Sequence, residues 1–285
     1  MRFSRVLRVG AVVAATSLAL AACGGGNGGG GGGDEGGNES LVSRAESGRL
    51  TVGIKIDQPG LGLQTPDGGY EGFDVDVAKY IAKELGVEEG DIEFVETPSA
   101  QRENMIEKGD VDFIVASYSI TDERKQKVDF AGPYFLAHQD LLVRADDNSI
   151  QGAEDLNGKK LCSVRGSTSA QNVKEDFAKD ADLQEYAGYS ECLTGLENGA
   201  VDALTTDDTI LAGYAAQNPG KFKLVGANLS DENYGVGLKK GDTEGRTAIN
   251  NAIKKMQDSG EWKKSAEKWF GPSGYQVGEP PAIEQ

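Results

Sequence analysis

From about residue 50 onward, short apolar runs alternate with stretches whose apolar residues recur at helical spacing. Residues 50–56 (Leu-Thr-Val-Gly-Ile-Lys-Ile) predict a strand, and 73–85 predict a helix, with Phe73, Val77, Tyr80, Ile81 and Leu85 on one face. A strand at 92–95, a helix at 98–108 with Pro98 in its first turn and a strand at 111–116 follow. Beyond the run Leu141-Leu142-Val143 a second series begins: strand 160–164, helix 170–178, strand 184–187, helix 192–197, strand 201–205 and helix 209–216. Residues 243–270 are mostly helical in pattern. Such alternation calls for α/β units on parallel sheets covered by helices.

The two series echo one another. Ile106-Glu107-Lys108-Gly109-Asp110-Val111-Asp112 matches Leu196-Glu197-Asn198-Gly199-Ala200-Val201-Asp202, each a helix end, a Gly stop and a strand opening with Val-Asp. Two lobes of similar build explain the echo most simply. Ligands on open α/β sheets bind beyond the carboxyl ends of strands. The first series runs out at 117–124 and the second at Thr206-Asp207-Asp208.

The first of these ends carries chemistry. Phe113-Ile114-Val115-Ala116 leads into Ser117 and Ser119, then Thr121-Asp122-Glu123, then Arg124. An Arg fork pairs both oxygens of a carboxylate, while hydroxyl and N–H donors take the remaining lone pairs. A surface turn with a solvated Arg is the plainer alternative. At the second end Asp207 offers a counter-charge to an ammonium, with a helix N-cap as its alternative. An α-amino acid needs both groups.

The N-terminal segment sets the compartment. Arg2, Arg5 and Arg8 precede an apolar run over 9–22 and then Leu20-Ala21-Ala22-Cys23. This reads as a secretory signal over 1–22, too short for a comfortable membrane span. Leu-Ala-Ala-Cys resembles the bacterial lipobox, in which the Cys becomes the lipidated first residue; an ordinary signal that happens to carry a Cys is the alternative. The Gly-rich segment that follows Cys23 cannot form a core, so 23–40 is expected to act as a tether. With Cys23 lipidated, Cys162 and Cys192 remain as a pair in an oxidising compartment, where a disulfide is expected and two buried thiols are the alternative. No Cys has metal-ligand spacing.

The formal charge of -17 becomes -20 once residues 1–22, with three Arg and no acid, are removed. So acidic a body excludes nucleic acid as a natural partner. No Walker, dinucleotide or zinc signature is present. The only His, His138, leaves a Ser-His-Asp triad nothing else to use, and no nucleophile elbow is present.

The chain resembles the family 3 extracellular solute-binding proteins, the polar amino acid receptors of ABC importers. The residues that carry this are Gly72-Phe73-Asp74-Val75-Asp76-Val77-Ala78-Lys79-Tyr80-Ile81-Ala82-Lys83-Glu84-Leu85, Ser119-Ile120-Thr121-Asp122-Glu123-Arg124, Asp129-Phe130 with Pro133-Tyr134, and Gly260-Glu261-Trp262 with Lys268-Trp269-Phe270-Gly271. They span roughly residues 50–271 in one order. Lys55-Ile56-Asp57-Gln58-Pro59-Gly60-Leu61-Gly62 most resembles the glutamate-binding lipoproteins of actinobacteria.

The resemblance implies an α/β, two-lobed clamp of the type II periplasmic-binding-protein kind, each lobe a mostly parallel sheet flanked by helices, with two hinge strands. Lobe 1 would be 49–136 plus 236–271 and lobe 2 would be 140–229. Residues 272–285, rich in Pro and Glu, read as a disordered tail. Carried over, Arg124 grips the α-carboxylate with help from Ser117 and Ser119, and Ser167 and Thr168 meet it from the other lobe at a helix start, where N–H groups favour anions. A plain capped helix start is the alternative for Gly166-Ser167-Thr168. Asp207 holds the α-ammonium. Lys55 and Arg102, with Arg165 a third candidate, hold a distal carboxylate; solvated surface is their usual fate. Buried cations call for an anionic partner, which favours glutamate over glutamine, aspartate or asparagine. Lys55 supplies a point charge where some relatives carry an Arg fork. His138 is expected to pack near the first hinge. The expected protein is a monomer without cofactor or metal, anchored through lipid outside the cell membrane and delivering L-glutamate to ABC permease subunits. A dehydratase-like enzyme on the same clamp, or a sensor without transport, is the alternative of another class.

Overall fold

The computed structural model describes residues 39–284. The expected signal sequence, the expected lipidation at Cys23 and the expected tether up to residue 38 lie outside the described residues. Ser40 accepts the Ser43 N–H and caps α1 (Leu41–Glu46). There follow β1 (Leu50–Ile54), a small antiparallel lip of β2 (Asp57–Gln58), β3 (Gly62–Gln64) and β4 (Tyr70–Glu71), then α2 (Phe73–Glu84), β5 (Ile92–Glu96), α3 (Arg102–Lys108), β6 (Phe113–Ile114) and α4 (Asp122–Lys125). The long strand β7 (Asp129–Arg144) leads to β8 (Lys160–Val164), α5 (Thr168–Asn172), β9 (Asp182–Tyr186), α6 (Tyr189–Glu197), β10 (Ala203–Asp207), α7 (Asp208–Gln217) and β11 (Phe222–Leu224). The chain returns along β12 (Ser230–Leu238) and closes with α8 (Thr243–Asp258) and α9 (Glu261–Phe270).

One sheet runs β5-β1-β6-β12-β7-β10-β8-β9, with β11 also on β7. Strand β1 is parallel to β5 and β6, and β8 is parallel to β9 and β10. The expected parallel α/β pattern therefore holds within each half. What joins the halves is antiparallel: β7 pairs with β12 from Ser230↔Gln139 to Leu238↔Asp129. These two strands are the links on which a type II clamp turns.

The departures from the expected elements have local causes. The strand expected over 111–116 shrinks to β6, because the buried Asp74 carboxylate takes the Ser117 N–H at 2.7 Å and Ser117 sits in the left-handed region at φ 42°. The helix expected from residue 98 opens with a 3₁₀ turn over Ser99–Gln101, and α5 runs on as a π turn over Val173–Phe177. The segment after Gly271, expected to be disordered, is laid along the body instead. Tyr275, Val277 and Ile283 pack against the core, and the Glu284 N–H donates to Gly132 O at 2.8 Å. Apolar residues spaced among the prolines and glutamates supply the burial that composition alone concealed.

The sequence signatures pack on one another. Phe73 at the start of α2 meets the rings of Tyr134, Phe135, Trp262 and Phe270 at 5.4–6.2 Å. Trp262 donates its indole N–H to Tyr134 O at 2.7 Å, and Asp76 accepts from Ser265 Oγ and Trp269 Nε1. A buried aromatic of this kind is worth about 3–5 kcal/mol against truncation. In the other half a Cys162–Cys192 disulfide, Cα–Cα 5.6 Å, ties α6 to β8. Among the described residues no helix is long and apolar enough to cross a membrane.

Candidate functional site

A small cavity lies where the two halves of the sheet face each other, lined by charged and hydroxyl residues from both. From the first half come Lys55, Gln58, Ser99, Arg102, Ser117 and Arg124, and from the second Ser167, Thr168, Ser169, Tyr189, Asp207 and Ile210. Three cations and one carboxylate thus meet in one nearly buried space.

Arg124 is set by α4, whose N-cap Thr121 accepts the Arg124 N–H. The guanidinium donates to Ser119 O at 2.7 Å and, across the cleft, to Gly166 O at 3.1 Å, and its Nε lies 3.5 Å from Glu103 Oε1. Arg124 is only 8% exposed, so this is no solvated surface turn. Tyr118 lies between two guanidinium groups, 5.0 Å from Arg124 and 4.0 Å from Arg102 measured from ring centroid to Cζ. Such stacking favours cations partly stripped of water.

Asp207 occupies the N-cap position of α7, yet its carboxylate makes no cap hydrogen bond. It accepts from Tyr234 Oη at 2.6 Å and faces Ser169 Oγ at 3.4 Å. Burial first, and then the nearby Glu232, push its carboxyl well above the usual carboxylate range. A cation in the cavity would hold it ionised. Asp208, the next residue, is the one that accepts the Thr209 N–H.

Lys55 and Arg102 are buried as well. Lys55 Nζ donates to Ser99 Oγ at 2.8 Å, and Arg102 Nη1 to Ala116 O at 3.1 Å. Among the described residues neither lies within ion-pair distance of a carboxylate, and Arg102 Nε has no hydrogen-bond partner. Burial, followed by repulsion from Arg102, lowers the Lys55 ammonium to about 7; burial, followed by Arg124, lowers Arg102 to about 10.

The remaining expected residues divide. Ser117 Oγ donates to Gln58 Oε1 at 2.8 Å, so its hydroxyl proton is already committed, and Ser119 Oγ is 3.5 Å from Thr168 Oγ1. Ser167 does cap its helix, accepting the Ala170 N–H and donating to Val164 O, while Thr168 Oγ1 donates to Glu232 Oε2 at 2.9 Å. Both residues still line the cavity at the start of α5. Arg165 is excluded: the chain turns at Gly166 (φ 78°), burying Val164 and Ser167 and leaving Arg165 exposed. His138 lies outside the cavity lining, 3.5 Å from Asp208 and 3.4 Å from Asp231.

Sequence reasoning missed Gln58, Ser99, Ser169 and Tyr189. Gln58 is fully buried with an unpartnered Nε2 in the cavity. Its position three residues after Lys55 was the available signal. Asp74, quoted only as part of a helix signature, fixes Ser117 and accepts from Tyr134 Oη; burial raises its carboxyl to about 6.

Comparison with known proteins agrees with this architecture. The family described as bacterial extracellular solute-binding proteins, family 3, matches residues 50–272. The glutamate-binding protein GluB of Corynebacterium glutamicum is 47% identical over 270 residues, covering 90% of this chain and 88% of its own. The glutamine-binding protein GlnH of Bacillus subtilis is 40% identical over 255 residues, covering 89% of this chain and 92% of its own. A solved ancestral arginine-binding protein bound to glutamine superposes with a TM-score of 0.74 at 39% identity, over 79% of this chain and 98% of that one. With a family match over most of the chain and a type II fold to go with it, the chain belongs to family 3 of the bacterial extracellular solute-binding proteins.

Proposed function

We propose that the protein is a receptor that closes on an acidic amino acid, L-glutamate first, and delivers it to the permease of an ABC importer. The observation that carries this reading is the pair Lys55 and Arg102, buried and, among the described residues, hydrogen-bonded to neutral groups alone. An uncompensated buried cation is costly, and a ligand's distal carboxylate would relieve two at once. Arg124 takes the α-carboxylate with the start of α5, and Asp207 takes the α-ammonium. A neutral amide would satisfy Gln58 and Ser99 but leave the cations unpaired. The lobes are taken as 49–136 with 236–271 and 140–229, turning on β7 and β12.

Moving such a clamp from one per cent closed to ninety-nine takes about 5.5 kcal/mol of differential binding. Ion pairs made from both lobes supply energy of that order. A lipid on Cys23 followed by the glycine tether would hold the receptor at the outer membrane face, which mass spectrometry of the mature N-terminal peptide checks.

Calorimetric titration of the lipid-free body with glutamate, aspartate, glutamine and asparagine tests the ligand. Glutamate is expected to bind at least tenfold tighter than glutamine. A preference for the amides would keep the α-amino acid site and remove the distal carboxylate site. Retention of the ligand unchanged, one per protein, separates a receptor from a dehydratase.

A further inference from the structure

Three glycines of the second half of the sheet closely approach the first half, two of them against backbone atoms that cannot give way. A Cβ on Gly166 would lie 2.6 Å from Ala100 Cα, one on Gly188 would lie 2.8 Å from Asp57 Oδ2, and one on Gly213 would lie 2.1 Å from Pro59 O. Gly166 also needs its left-handed backbone (φ 78°), so its identity has two causes. Gly213 does not. It sits inside α7, where alanine is the better helix former. Nothing within α7 asks for glycine there; the approach of Pro59 does.

The same contact is stitched by hydrogen bonds. Tyr214 Oη, beside Gly213, donates to Asp57 O at 2.6 Å. Asp57 Oδ2 accepts both the Ser190 N–H (3.2 Å) and Ser190 Oγ–H (3.1 Å), so a carboxylate from one half serves the first turn of α6 in the other. A negative charge is favoured at that end of a helix. Two residues on, Cys192 fixes α6 to β8 through the disulfide. Gln58, between Asp57 and Pro59, lines the cavity, as does Tyr189 next to Ser190.

We propose that residues 57–60 and the α6–α7 face form a closing latch made by the protein itself, engaged when the lobes come together, so that ligand affinity depends on contacts the ligand never touches. The proposal rests on the clamp reading above and adds to it a ligand-independent share of closure. It also gives the segment from Lys55 to Gly60 two jobs: seating the latch brings Lys55 and Gln58 to the ligand.

Gly213→Ala separates closure from folding, because it suits the helix and obstructs only the approach of Pro59. The purified variant is compared with the unaltered protein by calorimetry with glutamate and with glutamine, by melting, and by solution scattering with and without saturating ligand. The expected result is a ligand-free melting temperature equal or higher, affinity for both ligands weakened at least tenfold by a similar factor, and a ligand-saturated radius of gyration that stays near the free value. Tyr214→Phe, which removes only the hydroxyl donated to Asp57 O and leaves Gly213 in place, should weaken both ligands by the same factor as each other, less than Gly213→Ala does. Unchanged affinity and full compaction in Gly213→Ala would overturn the latch, as would a lowered ligand-free melting temperature, which would make the contact part of the resting fold. If the unaltered protein itself fails to compact with any of the four amino acids, the clamp reading falls and the latch with it. Compaction of the unaltered protein alongside unaffected variants removes the latch alone.

Discussion

The charges of the cavity fall into two sets built on opposite terms. Arg124 and Asp207 are already provided for: Arg124 has two carbonyl acceptors and Glu103 near its Nε, and Asp207 has Tyr234. Lys55 and Arg102 have a serine hydroxyl and a backbone carbonyl, and among the described residues no carboxylate within ion-pair distance. The first set is held in one geometry whatever arrives, which suits recognition of the groups all amino acids share. The second set is a standing electrostatic cost that only some side chains relieve, which suits discrimination among them. The binding of amino acids in general and the choice of one should therefore respond to different substitutions.

The largest effect is expected on the first set. Arg124→Ala removes the proposed α-carboxylate partner and the link to Gly166 O across the cleft. Truncating one member of a buried charged pair costs about 2–5 kcal/mol or more, so glutamate and glutamine should both lose at least about thirtyfold in affinity. Circular dichroism should show a folded protein. Loss of glutamate binding alone would dissolve the contrast between the two sets.

A smaller effect of opposite character is expected on the second. Lys55→Met keeps the buried stem and deletes the charge. Glutamate affinity should fall about tenfold to a hundredfold, in line with about 1.5–3 kcal/mol for a hydrogen bond to a charged group. Glutamine affinity should stay or improve, and the ligand-free protein should melt higher, because a buried cation without a counter-ion is gone. Equal losses for the two ligands would place Lys55 with the general set.

The sequence made the general set legible and the selective set only in part. Arg124 and Asp207 stand at the ends of two matching strand–helix units, where α/β sheets bind ligands, so pattern alone pointed to both. Lys55 and Arg102 came through resemblance, because burial of a Lys or Arg is a tertiary property that no local pattern encodes. Arg165 looked equivalent to them and is exposed, since the left-handed turn at Gly166 decides which neighbour faces inward. Gln58 offered only its spacing from Lys55, and Ser99, Ser169 and Tyr189 offered no local signal, because lining a cavity is a tertiary property. The parallel halves followed from the hydrophobic alternation, whereas the register of β7 on β12 depends on strands more than 90 residues apart in the chain. The packed tail escaped notice for the same reason: three scattered apolar residues matter only once a surface exists to receive them.

The finest test of the comparison is pH. Burial, then Arg102, lowers the Lys55 ammonium to about 7, so ligand-free protein sheds this proton as pH rises through 7. A bound distal carboxylate favours the charged form and keeps the proton on. Over that window the complex with glutamate holds one proton more than the free protein, and linkage weakens binding by up to tenfold per pH unit. Below about 6 Lys55 is charged in both states and the dependence fades. Asp207 works the other way, since its raised carboxyl must ionise to meet an ammonium, but it does so for glutamate and glutamine alike. The ratio of the two dissociation constants therefore isolates Lys55: glutamate's advantage should hold from pH 6 to 7 and shrink severalfold by pH 8.5. A ratio that stays flat would mean that Lys55 does not face the distal carboxylate, and selection would rest on Arg102, which keeps its proton across this range with a value near 10.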